Sequence, residues 1–125
     1  MTRTKAFTRD EHELYRHHAE MCKVLSHPTR LQVLNALRQR EMSVSDLAAQ
    51  LKVAIGNLSQ HLNMMKQRRV LHSRKEGNIV FYRLANPKML KAFDLIREIL
   101  LEEMRHQSVF VRHAEGVRGQ RRPGS

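Results

Sequence analysis

Residues 43–69 read SVSDLAAQLKVAIGNLSQHLNMMKQRR, and this stretch decides the fold. Ser43 with Asp46 three positions on is a capping box, which opens a helix. Val44, Leu47, Ala48 and Leu51 follow at the spacing of a helix with one apolar face. Lys52-Val53-Ala54 is a tight turn. Leu58, His61, Leu62 and Met65 then mark the inner side of a second helix, which ends near Arg69. Two helices joined by so short a turn make a bihelical unit.

Upstream, Thr8 with Glu11, reinforced by Asp10, is another capping box, so a first helix starts there. Leu14, His18, Met21 and Leu25 fall at helical spacing along it, with Tyr15 and Cys22 alongside. His27-Pro28 breaks that helix, and Pro28 suits the first position of the next one. The next helix carries Leu31, Leu34 and Leu37 on its buried side and runs to about Arg40, with Glu41-Met42 as a link. Downstream the period changes. Leu71–Lys75 and Ile79–Leu84 read as two strands, and Glu76-Gly77-Asn78 supplies the Gly and Asn of a hairpin turn. Asn86-Pro87 opens a last helix, 87–105, whose apolar residues cover more than one face. Such a helix needs a second surface to bury against, and another copy of the chain is the simplest supply. The expected organisation is a flexible arm at 1–8, one domain at 9–105 and a flexible basic tail at 106–125.

The chain has 125 residues, enough for one small core, and a formal charge of +11 with His neutral. Residues 52–83 hold seven Lys and Arg against Glu76 alone, so more than half the excess charge lies in a quarter of the chain. A concentrated positive block points to nucleic acid or an anionic membrane surface. No apolar run approaches the ~20 residues of a membrane span, and the N-terminal stretch lacks the apolar core of a signal peptide. The expectation is a soluble cytoplasmic protein without a membrane partner. The single cysteine, Cys22, excludes an intrachain disulfide and a cysteine-only metal cage. No nucleophile–base pair, carboxylate pair or Gly-rich phosphate loop is present, so an enzyme is not expected.

Helix, helix, helix–turn–helix, hairpin, helix is the order of a winged helix-turn-helix domain, mostly α with a small β-hairpin. The fourth helix would enter the DNA major groove, and the hairpin would be the wing. The stretches LSHPTRLQVLNAL (25–37), EMSVSDLAAQLKV (41–53), NLSQHLNMMKQRRVL (57–71) and RKEGNIVFYRL (74–84) resemble the ArsR/SmtB family of small dimeric bacterial repressors. The resemblance covers roughly residues 19–104. It implies a homodimer through the first and last helices, bound to a near-palindromic double-stranded operator and released by an inducer. Leu14, His18, Met21, Phe93, Ile96, Leu100 and Met104 would then form the dimer interface.

The fourth helix presents Asn57, Ser59, Gln60 and Asn63 outward, with Ile55 and Gly56 at its entry. Amide side chains pair two-pronged with adenine, serine donates to bases or phosphates, and Gly56 lets backbone approach a phosphate. His61 matches a His common in the family's reading helix. It also lies on the apolar stripe, which suits a packed ring touching a phosphate better than a base reader. Ala54 departs from the Ser or Thr usual at this cap. On the wing, Arg74, Lys75 and Asn78 flank the turn and are expected to meet phosphates or the minor groove, whereas Tyr82 is expected to pack. Both usual metal sites of the family are broken. Ser43-Val44-Ser45 stands where one site has Cys-Val-Cys, and hydroxyls are poor ligands for soft metals. Asp94 survives from the other, but Ile96, Gln107 and Phe110 replace its His, His and Glu. No cofactor is called for. His18 and Cys22, four apart on the first helix, are the remaining candidates for a metal or thiol sensor, although burial in the core explains them more simply. Two alternatives stand beside the regulator: a non-specific or architectural nucleic-acid binder, and a regulator that senses through this first-helix pair.

Overall fold

The computed structural model describes residues 8–107. Among these residues five helices and three strands follow one another as α1 (Arg9–Val24), α2 (Pro28–Ala36), β1 (Met42–Ser43), α3 (Val44–Leu51), α4 (Ile55–Gln67), β2 (Leu71–Glu76), β3 (Ile79–Leu84) and α5 (Lys88–Gln107). The chain divides into two compact units, one ending at Pro87 and one starting at Lys88.

Local chemistry sets most of these boundaries. The Thr8 hydroxyl accepts from the Glu11 N–H at 3.1 Å while the Glu11 carboxylate accepts from the Thr8 N–H at 2.9 Å, closing a reciprocal capping box. Thr8 therefore belongs to the helix start rather than to the arm expected at 1–8. Residues 1–7 of that arm and 108–125 of the expected tail lie outside the described residues. The Ser43 hydroxyl accepts from the Asp46 N–H at 3.1 Å and caps α3. At the far end of α3, Lys52 turns left-handed (φ 58°) and the Val53 N–H reaches the Ala48 carbonyl at 3.1 Å. This αL closure reverses the chain into α4.

The sheet order is β1-β3-β2, antiparallel throughout. Glu76 pairs with Ile79, which leaves Gly77-Asn78 as a two-residue loop. Gly77 has a φ of 63°, in the left-handed region that hairpin turns favour and that glycine enters without steric cost. The strand β1 corrects the expectation of a plain link at Glu41-Met42. Met42 pairs with Tyr82 and Ser43 with Phe81, so the wing is anchored directly at the start of α3. The same pairing accounts for α2 ending at Ala36 instead of near Arg40. Leu37 leaves helical geometry and buries its side chain, and the chain then turns toward β3.

One core serves the first unit. Val24, Val33, Leu34, Leu37, Leu47, Leu58, Leu62, Met65, Val70 and Leu71 are buried within it, drawn from α1, α2, α3, α4, the start of β2 and the segments just after α2 and just before β2. Each such aliphatic side chain contributes about 1.5–3 kcal/mol by leaving water. The stripe Leu58, Leu62, Met65 thus fixes which side of α4 faces inward, and by the helical period it fixes which side faces out. The second unit differs: none of the described residues of α5 is buried.

Candidate nucleic-acid interface

On the outward side of α4 the structure places Asn57, Ser59, Gln60 and Asn63, all exposed, with Ile55 and Gly56 exposed at its entry. Lys66 and Gln67 continue the row at the C-terminal end. Ala54 gives the helix no side-chain cap. The first-turn N–H groups of a helix have no intrahelical partner, and here no side chain takes them. They are donors at the positive end of a helix dipole. A Cβ added to Gly56 would meet nothing within 4 Å, so the fold itself does not demand glycine there. The space beside it is open to an approaching group.

His61 sits between the two faces. It is half-buried, its Nδ1 accepts from the Arg30 Nε at 3.1 Å, and its ring lies 4.4 Å from that of His27. Desolvation, with the nearby charges of His27 and Arg30, holds its imidazole neutral to lower pH than a free histidine. Arg30 Nη1 also donates to the Val24 carbonyl at 2.7 Å, which ties the end of α1 to α4 through one guanidinium. A second tie runs from Arg68, just past α4, to Glu20 of α1 at 3.1 Å.

On the wing, Lys75 and Asn78 are exposed beside the turn, and Tyr82 is buried, which pushes its phenol pKa up. Arg74 was expected to meet phosphates or the minor groove, and the structure gives it other partners. Its Nε and Nη2 donate to the Glu41 carboxylate, at 2.6 Å for the shortest contact, and its Nη1 donates to Glu76 at 3.1 Å. Its guanidinium also lies 4.5 Å from the centre of the Phe81 ring. The arginine pulls the Glu41 carboxyl below its usual range, and the two carboxylates raise the guanidinium further above its own. Within this chain Arg74 is a bracket between the wing and the segment leading into β1. The roles of Arg30 and Glu41 escaped the sequence reading, because Arg30–His61 and Arg74–Glu41 join segments 31 and 33 positions apart and no local spacing encodes them.

The apolar stripe of α1 does not form a core. Leu14 is 63% exposed and Tyr15 54%; His18 and Cys22 are exposed, and Met21 is half-buried. The core reading of His18 and Cys22 is therefore corrected. Among the described residues no group of three or more His, Cys, Asp or Glu is gathered so that it could hold a metal ion. At the start of α3 the Ser43 hydroxyl is committed to the Asp46 N–H, and neither Ser43 nor Ser45 offers the thiolate that a soft metal selects. On α5, Ile96, Leu100 and Met104 are exposed and Phe93 is half-buried; Leu95 and Ile99 add to the exposed apolar surface. No helix among the described residues is long and apolar enough to cross a membrane.

The family described as bacterial regulatory protein, arsR family, matches residues 27–73, which run from the cap of α2 into β2. An HTH-type transcriptional regulator of Mycobacterium tuberculosis, Rv0081, is 33% identical over 88 residues, spanning 70% of this chain and 77% of that protein. Its crystal structure superposes with a TM-score of 0.69 at 30% identity, covering 77% of this chain and 97% of that one. The biofilm growth-associated repressor of Agrobacterium fabrum is 35% identical over 65% of this chain and 69% of its own length. A homodimeric winged helix-turn-helix DNA-binding domain from Mycobacterium bovis, solved by NMR, gives a TM-score of 0.72 at 25% identity, over 82% of this chain and 95% of that one. With the helix-turn-helix, the three-stranded wing and the amide-bearing face of α4 in place, the chain belongs to the ArsR family and is a winged helix-turn-helix transcriptional regulator.

Proposed function

We propose that two copies of the chain bind a near-palindromic DNA operator in the cytoplasm and repress by occluding a promoter, each copy setting α4 into a major groove. The observation that carries this reading is the division of α4 into a buried face, Leu58, Leu62 and Met65, and an exposed face of Asn57, Ser59, Gln60 and Asn63. A solvated helix needs no such row of amides, whereas base edges are read by amides. Ile55 and Gly56 bring the open helix start to a phosphate, and Lys75 and Asn78 carry the wing to the flanking backbone. Arg74 supports this contact indirectly, through its bracket to Glu41. The second copy covers the exposed apolar residues of α5, and likewise those of α1. Release by an inducer comes to this chain from its family alone.

The test is a salt series on two duplexes of equal length. One is selected by the full-length protein from a randomised pool, and the other is its scrambled counterpart. Affinity for both should fall as salt rises, with a log–log slope of about −0.9 per phosphate neutralised. The selected duplex should stay roughly a thousandfold or more tighter at every salt concentration. Equal affinities would leave only a non-specific or architectural binder.

A further inference from the structure

We propose that Arg30 is a positioning residue for DNA binding, which holds the Nδ1 of His61 so that the Nε2–H is presented to a phosphate oxygen of the backbone. This rests on the reading of α4 as the DNA-contacting helix and names a device within it. A guanidinium has donors only, so the 3.1 Å contact from Arg30 Nε makes His61 Nδ1 the acceptor. A neutral imidazole then carries its hydrogen on Nε2. The ring is held neutral by partial burial beside the titratable His27 and the charged Arg30. No side-chain nitrogen or oxygen among the described residues is buried without a partner. The hydrogen bond made by His61 is at Nδ1, so Nε2 is not sealed off from solvent. His61 lies one helical turn along from Asn57 and beside Gln60.

Arg30 is itself fixed at two further points. Its Nη1 donates to the Val24 carbonyl at the end of α1, and its backbone N–H donates to the His27 carbonyl at 3.0 Å. His27 is held in turn, because its Nδ1 accepts from the Thr29 N–H at 3.2 Å and caps α2. The imidazole on α4 is thus aimed by the start of α2. A lysine at position 30 keeps the charge but has a single ammonium. It cannot satisfy the Val24 carbonyl and the imidazole with the fixed fork of a guanidinium.

Two readouts test this on the full-length chain. In histidine-ring 15N NMR at pH 7.5, His61 should appear as the Nε2–H tautomer, and R30K should shift it toward a tautomer mixture. Wild-type His61 as the Nδ1–H tautomer or as an imidazolium would overturn the proposal, whether or not any variant folds. In binding, H61A should weaken the selected and the scrambled duplex alike, by about thirtyfold for a pair of subunits. The salt slope should stay unchanged, because the lost donor is neutral. H61Q, whose amide nitrogen can take the place of Nε2, should recover most of that loss. R30K should weaken binding in wild type and add nothing in the H61A background. Additive losses, or a salt slope reduced by H61A, would also overturn it. A randomised pool that yields no enriched sequence would instead remove the DNA reading beneath the proposal.

Discussion

Replacing Asn57 and Gln60 together with alanine is expected to abolish sequence preference while leaving the fold intact. Both side chains are exposed, and alanine is the better helix former, so thermal stability should hold or rise slightly. A two-pronged amide–adenine pair is worth about 1–3 kcal/mol of discrimination, and a paired molecule presents every such residue twice. The selected duplex should therefore lose roughly a thousandfold or more in affinity. The scrambled duplex should change by less than about threefold, because the phosphate contacts that dominate non-specific binding remain. Competition binding with both duplexes measures this. A parallel loss on the two would mean that these residues do not read bases.

The second large effect is expected on α5. Ile96 and Leu100 lie four apart on one side of a helix that has no buried residue among those described, and they are 58% and 52% exposed. Replacing both with glutamate puts charge into any apolar contact made there, and burying an unpaired charge is costly. Sedimentation should show the pair of 14.7 kDa chains replaced by single chains. Affinity for the selected duplex should fall by about a hundredfold to ten-thousandfold, because a lone subunit loses the effective concentration of its partner. The first unit should keep its unfolding temperature, since its core lies in α1–α4 and the sheet. A variant that remains paired and binds normally would mean that α5 is not where the copies meet.

What the sequence made legible was local. The Thr8–Glu11 box, the Ser43 cap, the missing cap at Ala54 and the turn at Gly77 depend on residues a few positions apart, and each shows directly in the chain. The apolar period of α4 likewise told which amides would face outward. Non-local pairing was hidden. The two-residue strand at Met42–Ser43 exists only because Tyr82 and Phe81 lie beside it. Arg74 read as a wing cation for phosphates or the minor groove because nothing near it announced Glu41. The stripe on α1 showed the same limit in another form. Periodicity predicted an apolar side at Leu14, His18 and Cys22, but it carries no mark of whether the chain's own core or a second surface covers that side.

Hydroxyl-radical footprinting of the full-length protein on its selected duplex tests the central claim most directly. Two patches of protection should appear, centred about one helical turn apart and related by the pseudo-two-fold axis of the site, as a pair of α4 helices in successive major grooves requires. Uniform protection along the duplex, or a single isolated patch, would contradict it.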